Sequence, residues 1–278
     1  WEKLLYGDQP AGRLTIGSRE NIKSFDREQL IEYLNNHYLA ENSVVTIAGD
    51  VEVNDSQQKV KDAFEGIDTG TLKDKPAVKE EQEKPQTLIR QKDTDQTHLI
   101  VGTRGYDLFS PKRFAQSVLA TMLGGNMSSR LFIEVREKRG LCYYIECSSE
   151  TKTDSGYLAV KAGLDHDEIN QALEVILNEF KEIREGNFSE EELQKAKDYL
   201  KGNLVLNLEA SDEQATFYAS QELLADGILT PEQKIKKIEQ VSKEELQSVA
   251  QELFQSKNLN LALIGPHEDK DKFESLKL

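Results

Sequence analysis

The sequence predicts an α+β fold in which an antiparallel-rich sheet packs against helices, and in which one helix–strand unit occurs twice. Three observations predict it. Long segments carry apolar residues at helical spacing, two alternating segments read as a hairpin, and residues 22–49 repeat at 238–265 without a gap. Ile22 meets Ile238, Leu30 meets Leu246, Tyr38 meets Phe254, Asn42 meets Asn258 and Gly49 meets Gly265, at a constant offset of 216 residues. Shared helix-and-strand patterning mimics the apolar matches, but the loop pairs Asn42/Asn258 and Gly49/Gly265 favour duplication.

The elements follow in order. Ser24–Tyr38 reads as a helix with Asp26 as N-cap and Leu30, Tyr33, Leu34 and Tyr38 on one face. Val44–Ala48 is a short β-branched run that stops at Gly49 and predicts a strand. Lys73–Gln86, KDKPAVKEEQEKPQ, is rich in Lys, Glu and Pro and nearly empty of large apolar side chains, which predicts an interdomain linker. Residues 1–72 are then the back part of a first domain, 73–86 a linker, and 87–278 a complete second domain. Two domains also suit a length of 278 residues.

Within the second domain, Thr97–Thr103 predicts a strand. Ser110 and Pro111 open a helix carrying Phe114, Val118, Leu119, Met122 and Leu123, which Gly124 or Gly125 ends. A further helix runs from about Ser128 to Gly140. Cys142–Glu150 and Gly156–Gly163 alternate as two strands around a turn at Thr153–Ser155. Asp167–Glu185 is amphipathic and ends at Gly186. Ser189 with Glu192, then Ser211, Thr230-Pro231, and Ser242 with Glu245 open four more helices before a last strand at Leu259–Ile264. By the repeat offset, the partner of the second unit begins about 130 residues before Trp1. The first residue is Trp1 and not Met, so the sequence reads as cut ahead of the front half of the first domain.

Composition excludes several functions. A net charge of −15 disfavours sequence-general binding to nucleic acid or to an anionic membrane surface. No apolar run approaches the roughly 20 residues of a membrane span, and no segment resembles a signal peptide. The only cysteines, Cys142 and Cys147, stand an odd number of residues apart along an apparent strand, and so are expected on opposite faces as reduced thiols. That is compatible with the cytoplasm.

The chemistry-bearing motifs are few. Gly124-Gly125 follows a helix and no Gly-Lys-Ser/Thr follows it, so a phosphate loop does not fit. His37, His98, His166 and His267 are far apart and none belongs to H-x-x-E-H, so helical zinc spacing is absent. His37 reads as structural, and His98 begins a strand and can line a groove. Asp165-His166-Asp167-Glu168 looks metal-like, yet acids at a helix start need no metal. Arg136 and Tyr143 form the pair of interest. A helix-end arginine and a strand-start phenol joined by the tight turn at Gly140 can face one space and stabilise negative charge developing on a carbonyl oxygen. The competing reading pairs Arg136 with a neighbouring glutamate and packs the Tyr143 ring.

The stretch GG-N-MSSRLF-x-x-VREK-x-GL-x-Y at Gly124–Tyr143 closely resembles the central motif in the second domain of the M16 zinc metallopeptidases, of M16B type. These are the relatives of mitochondrial processing peptidase, insulin-degrading enzyme and pitrilysin. PAGRLTIGSRENI at Pro10–Ile22, NSVVTIAGDV at Asn42–Val51, EELQKAK at Glu191–Lys197 and IGP at Ile264–Pro266 resemble the family too. The resemblance implies duplicated α/β domains and a clam-shell to whose sheet edge an unfolded peptide adds as a strand. It implies that Arg136 and Tyr143, at the family's R-x6-Y spacing, bind substrate and stabilise the oxyanion. Zinc is implied for the full-length protein, held by two histidines of H-x-x-E-H and a distal glutamate, none of which matches here; no cofactor is expected on this chain. The chain is thus expected to be the C-terminal region of a zinc metalloendopeptidase, inactive alone. The alternative is a non-catalytic M16-like subunit that binds or assembles with an active one. Implied partners are a peptide or unfolded polypeptide, the missing N-terminal half-domain, and a second M16 subunit in a homo- or heterodimer.

Overall fold

The computed structural model describes residues 1–71 and 75–267. In chain order the helices are α1 (Glu2–Tyr6), α2 (Arg19–Ser24), α3 (Arg27–His37), α4 (Val53–Phe64), α5 (Arg113–Gly124), α6 (Ile169–Arg184), α7 (Glu190–Asn207), α8 (Ser211–Leu224), α9 (Pro231–Gln240) and α10 (Lys243–Leu253). The strands are β1 (Gln86–Gln91), β2 (Thr97–Arg104), β3 (Cys142–Thr151), β4 (Gly156–Leu164) and β5 (Asn260–Gly265). They form a sheet in the order β1-β5-β2-β4-β3, antiparallel except for the β1–β5 pair. The α+β class with an antiparallel-rich sheet against helices is therefore what the chain adopts.

The chain divides into two compact units. The first comprises Trp1–Gly12, Val78–Gly202 and Gln233 onward; the second comprises Arg13–Ala77 and Asn203–Glu232. In the first unit one face of the sheet presents Leu99, Val101, Leu158, Val160, Leu261 and Leu263, all fully or almost fully buried, against α5, α6 and α10. Phe180 of α6 and Phe254 stack at 4.2 Å between ring centroids, a contact worth about 0.5–1.5 kcal/mol beyond area burial. Alternation along β2 and β4 sets this face, and helical spacing in α6 and α10 meets it.

Most of the segment read as a linker is tied to the first unit. The Val78 amide donates to Asp154 (3.0 Å), Gln82 donates to Leu259 O (3.2 Å) and the Lys79 amide to Gln9 (2.7 Å). Residues 73 and 74 lie outside the described residues. The N-terminal stretch, for which no helix is expected from sequence, forms α1 and buries Leu5 and Tyr6.

In the second unit Asp26 caps α3 in a full capping box with Gln29. The repeat appears in its helix and in the turn that follows. α3 and α10 cover Arg27–His37 and Lys243–Leu253, and the short 3₁₀ turns cover Ala40–Asn42 and Ser256–Asn258, each pair 216 apart. Even the loop bonds match: Asn42 donates to His37 O (3.2 Å) as Asn258 donates to Leu253 O (3.3 Å). One expectation fails here. Val44–Ala48, the counterpart of β5, belongs to no ladder; among the described residues no strand runs beside it, and Val45 and Ile47 are exposed. A β-branched run makes a strand only where another chain segment accepts its hydrogen bonds.

Candidate functional site

After α5, Gly124 and Gly125 act by close approach and not by unusual dihedrals. A Cβ on Gly124 would lie 2.5 Å from the Cys147 amide nitrogen, and Gly125, the C-cap, has φ −78°. Leu131 and Val135 then plunge into the core, and Arg130 locks the segment down. It donates to Glu192 (2.8 Å), Glu179 (3.1 Å) and Asn187 O (2.7 Å). Burial raises the Glu179 pKa despite Arg130. Burial acts the same way on Glu192, but there Arg130 and Ser189 outweigh it and the pKa is lowered.

The helix expected from about Ser128 to Gly140 is in large part a π-helical turn, Phe132–Glu137, with the Lys138 amide bonded five residues back to Ile133 O (2.9 Å). Such wide turns recur at functional sites because the extra residue re-aims the chain beyond it. Arg136 sits exposed on this turn, its guanidinium 4.9 Å from the Phe132 ring centroid. The neighbouring Glu134 is taken by Lys138 (2.6 Å) and Arg139 (2.7 Å). Among the described residues Arg136 makes no ion pair.

Gly140, at φ +66°, turns the chain, and the Leu141 amide closes onto Val135 O (3.0 Å). β3 then begins with a bulge: Cys142 pairs with Leu164 and Tyr144 with Gly163, leaving Tyr143 out of register. Bulges re-aim side chains. Tyr143 is 55% exposed and donates its hydroxyl to Asp165 Oδ1 at 3.0 Å; that bond raises the phenol pKa and keeps it a proton donor. The bulge also corrects the cysteine geometry. The extra residue brings Cys142 and Cys147 to the same helix-covered face, both buried and free. Burial pushes the Cys142 thiol up to about 11, with the Arg136 charge opposing.

The histidines are engaged otherwise. His37 packs its ring on Tyr33, and His98 Nδ1 meets Tyr144 OH at 3.1 Å. His166 and His267 both converge on the buried Thr97 hydroxyl, at 2.8 and 2.7 Å, a cluster that their separation of 101 residues hides in the sequence. His166 also bonds Thr94 O through Nε2 (3.0 Å). Among the described residues no group of three or more His, Cys, Asp or Glu is placed to hold a metal. A polar cavity of about 590 Å³ lies against Arg130, Glu134 and Lys138, but neither Arg136 nor Tyr143 lines it.

Fold and corner define a class: an α+β wall that offers a guanidinium and a phenol from two backbone irregularities. Residues 24–200 match the peptidase M16 inactive domain, and the chain belongs to that family. It is 30% identical to an uncharacterized zinc protease of Bacillus subtilis, over 95% of this chain and 64% of that protein. An uncharacterized zinc protease of Mycobacterium tuberculosis is 33% identical, over 96% and 61%. Among solved structures, the peptidase M16 inactive domain from Pseudomonas fluorescens superposes with TM-score 0.86 at 20% identity, over 96% of this chain and 64% of that one. The chain thus spans less than two thirds of the length of these relatives. Among the described residues no helix is long and apolar enough to cross a membrane.

Proposed function

We propose that the chain is the C-terminal region of a zinc-dependent metalloendopeptidase that hydrolyses peptides or unfolded protein segments, and that it supplies substrate binding and oxyanion stabilisation. The zinc named for the relatives belongs, on this reading, to the part of the protein outside this chain. One observation carries the proposal. Arg136 is held on a π-helical turn without a carboxylate partner among the described residues, and Tyr143 is lifted from the ladder by a bulge at the start of β3, just past the Gly140 turn. The Arg136 guanidinium and the Tyr143 hydroxyl would each give a hydrogen bond of about 2.7–3.1 Å to the oxygen that becomes negative as a peptide carbonyl is attacked. Tyr143 does so by exchanging its Asp165 bond for one to substrate.

The partners in this proposal are an unfolded peptide, the N-terminal half-domain, and a second M16 subunit. The half-domain accounts for the bare apolar side of the first repeat copy. Leu30 and Tyr38 are 55% and 64% exposed, whereas their counterparts Leu246 and Phe254 are fully buried. The evolutionary division into 1–72, 73–86 and 87–278 belongs to the same proposal. Two free buried thiols suit a reducing compartment, and we place the protein in the cytoplasm.

The test uses the longer protein. Arg136→Ala and Tyr143→Phe are each expected to lower turnover about 10-fold or more, on the usual scale of such donors. Unchanged rates in both would remove them from the site. Chelator-sensitive cleavage by the 278-residue chain alone would place the metal here after all.

A further inference from the structure

The sheet of the first unit has a second face, opposite α5, α6 and α10, and strand pairing lets it be read row by row. Arg90 of β1 pairs with Ile264 of β5, which pairs with His98 of β2. His98 pairs with Gly163 of β4, which pairs with Tyr144 of β3. These residues form one straight line across all five strands. At a strand spacing of 4.7–4.9 Å the row is about 19 Å long, the reach of roughly six residues of extended peptide.

Only part of this face is covered. The Arg104–Tyr157 end lies under the N-terminal segment: Arg104 donates to Leu5 O, Tyr6 OH reaches Gly156 O (3.4 Å), and Trp1 sits edge-on to Tyr157 (5.9 Å). The row from Arg90 to Tyr144 is at the other end, and Arg90, Ile264, His98 and Tyr144 are all exposed. It starts one residue from Tyr143.

The row is built, not incidental. Tyr144 lays its ring where Gly163 has no side chain; a Cβ there would stand 2.4 Å from Tyr144 Cε1. The phenol, whose pKa burial raises, lies 3.1 Å from His98 Nδ1; with the hydroxyl as donor, the imidazole carries its proton on Nε2 and offers it outward. Arg90 makes no ion pair among the described residues. In the next row, Lys161 pairs with Glu146 (3.6 Å). In a chain of net charge −15, this strip offers donors and unspent positive charge.

We propose that the Arg90–His98–Tyr144 row is a specificity subsite that takes an acidic side chain of an extended peptide lying across the sheet. Arg90 supplies the charge and His98 Nε2–H a directed hydrogen bond, while Tyr144 fixes the imidazole and gives the peptide an aromatic floor. The occupant follows from charge complementarity and from continuity with the Arg136–Tyr143 corner, so the proposal rests on the peptidase reading of that corner.

Direct binding tests it without any metal. A labelled, unstructured peptide of about twelve residues with a central Asp-Asp pair, and its Asn-Asn counterpart, would be titrated into this chain by fluorescence anisotropy. The acidic peptide is expected to bind about 5-fold more tightly, the scale of one solvent-exposed charged contact. Arg90→Gln and His98→Gln should abolish that preference, and Lys181→Gln on the exposed side of α6 should leave it; far-UV circular dichroism checks that each surface variant stays folded. Equal binding of the two peptides, no binding of either, a preference that survives in the Arg90 and His98 variants, or one lost equally in Lys181→Gln would each overturn the subsite. Acid preference without chelator-sensitive cleavage by the longer protein would keep the subsite and remove the peptidase reading. Cleavage without acid preference would do the reverse.

Discussion

Burial raises both thiol pKa values, that of Cys142 to about 11 from an ordinary 9.0 and that of Cys147 as well. The sign of the consequence follows from proton counting. In the fold each thiol holds its proton more tightly than in the unfolded chain, so stability is unaffected at neutral pH and falls as pH rises from about 9 towards 11. Thermal unfolding across that window should show the decline, and Cys142→Ala should flatten part of it. A thiol-specific reagent at pH 8 should label neither cysteine in the folded chain and both in urea. Residue parity puts these two on opposite faces because it assumes an unbroken ladder, and the bulge at Tyr143 adds one residue to the count. The same blindness hides Asp165. In sequence it is one of four polar residues at a helix start; in space it is the acceptor for Tyr143.

Two glycines at the corner separate conformational cost from steric cost. Gly140 sits at φ +66° with nothing within 4 Å of the position a methyl group would take, so Gly140→Ala meets only dihedral strain, about 1–2 kcal/mol. Gly124→Ala meets the backbone and Cβ of Cys147 at 2.5 and 2.7 Å instead, and should cost about 1–3 kcal/mol through displaced packing. Urea denaturation measures both. An asparagine tolerates positive φ, so Gly140→Asn should recover part of the loss while Gly124→Asn should be worse than Gly124→Ala. At this scale the helix from about Ser128 is legible in the sequence but its π-helical character is not. Leu131 and Val135 keep the four-residue spacing of an ordinary helix, and the five-residue bonding of Lys138 leaves no trace in the apolar pattern. The existence and order of β2, β3, β4, α5, α6 and α10 are legible, and so are the faces of all but β3, because each of the others follows a single period from one cap or turn to the next. β1 is not, since it lies at the end of a polar segment and pairs with a strand some 170 residues away.

The duplication is the most legible feature of the whole molecule, because loop residues and caps fix a register that apolar patterning alone leaves loose. Pattern, however, tells which side chains suit burial and not whether anything covers them. Tyr38 and Phe254 show the difference. They stand 216 residues apart at the same C-cap, with near-identical backbone angles of −90°/65° and −85°/62°. Phe254 is enclosed and stacked on Phe180, while Tyr38 is 64% exposed. Phe254→Ala should therefore cost about 3–5 kcal/mol, the usual range for a buried aromatic. Tyr38→Ala in this chain should stay within about 0.5 kcal/mol, as surface changes do. In the longer protein, with the proposed N-terminal half-domain laid on α3, the Tyr38 substitution should become nearly as costly as its counterpart. Denaturation of the four proteins decides the matter. If Tyr38→Ala is mild in both lengths, the first copy has no partner on that side, and the half-domain must dock elsewhere or not at all.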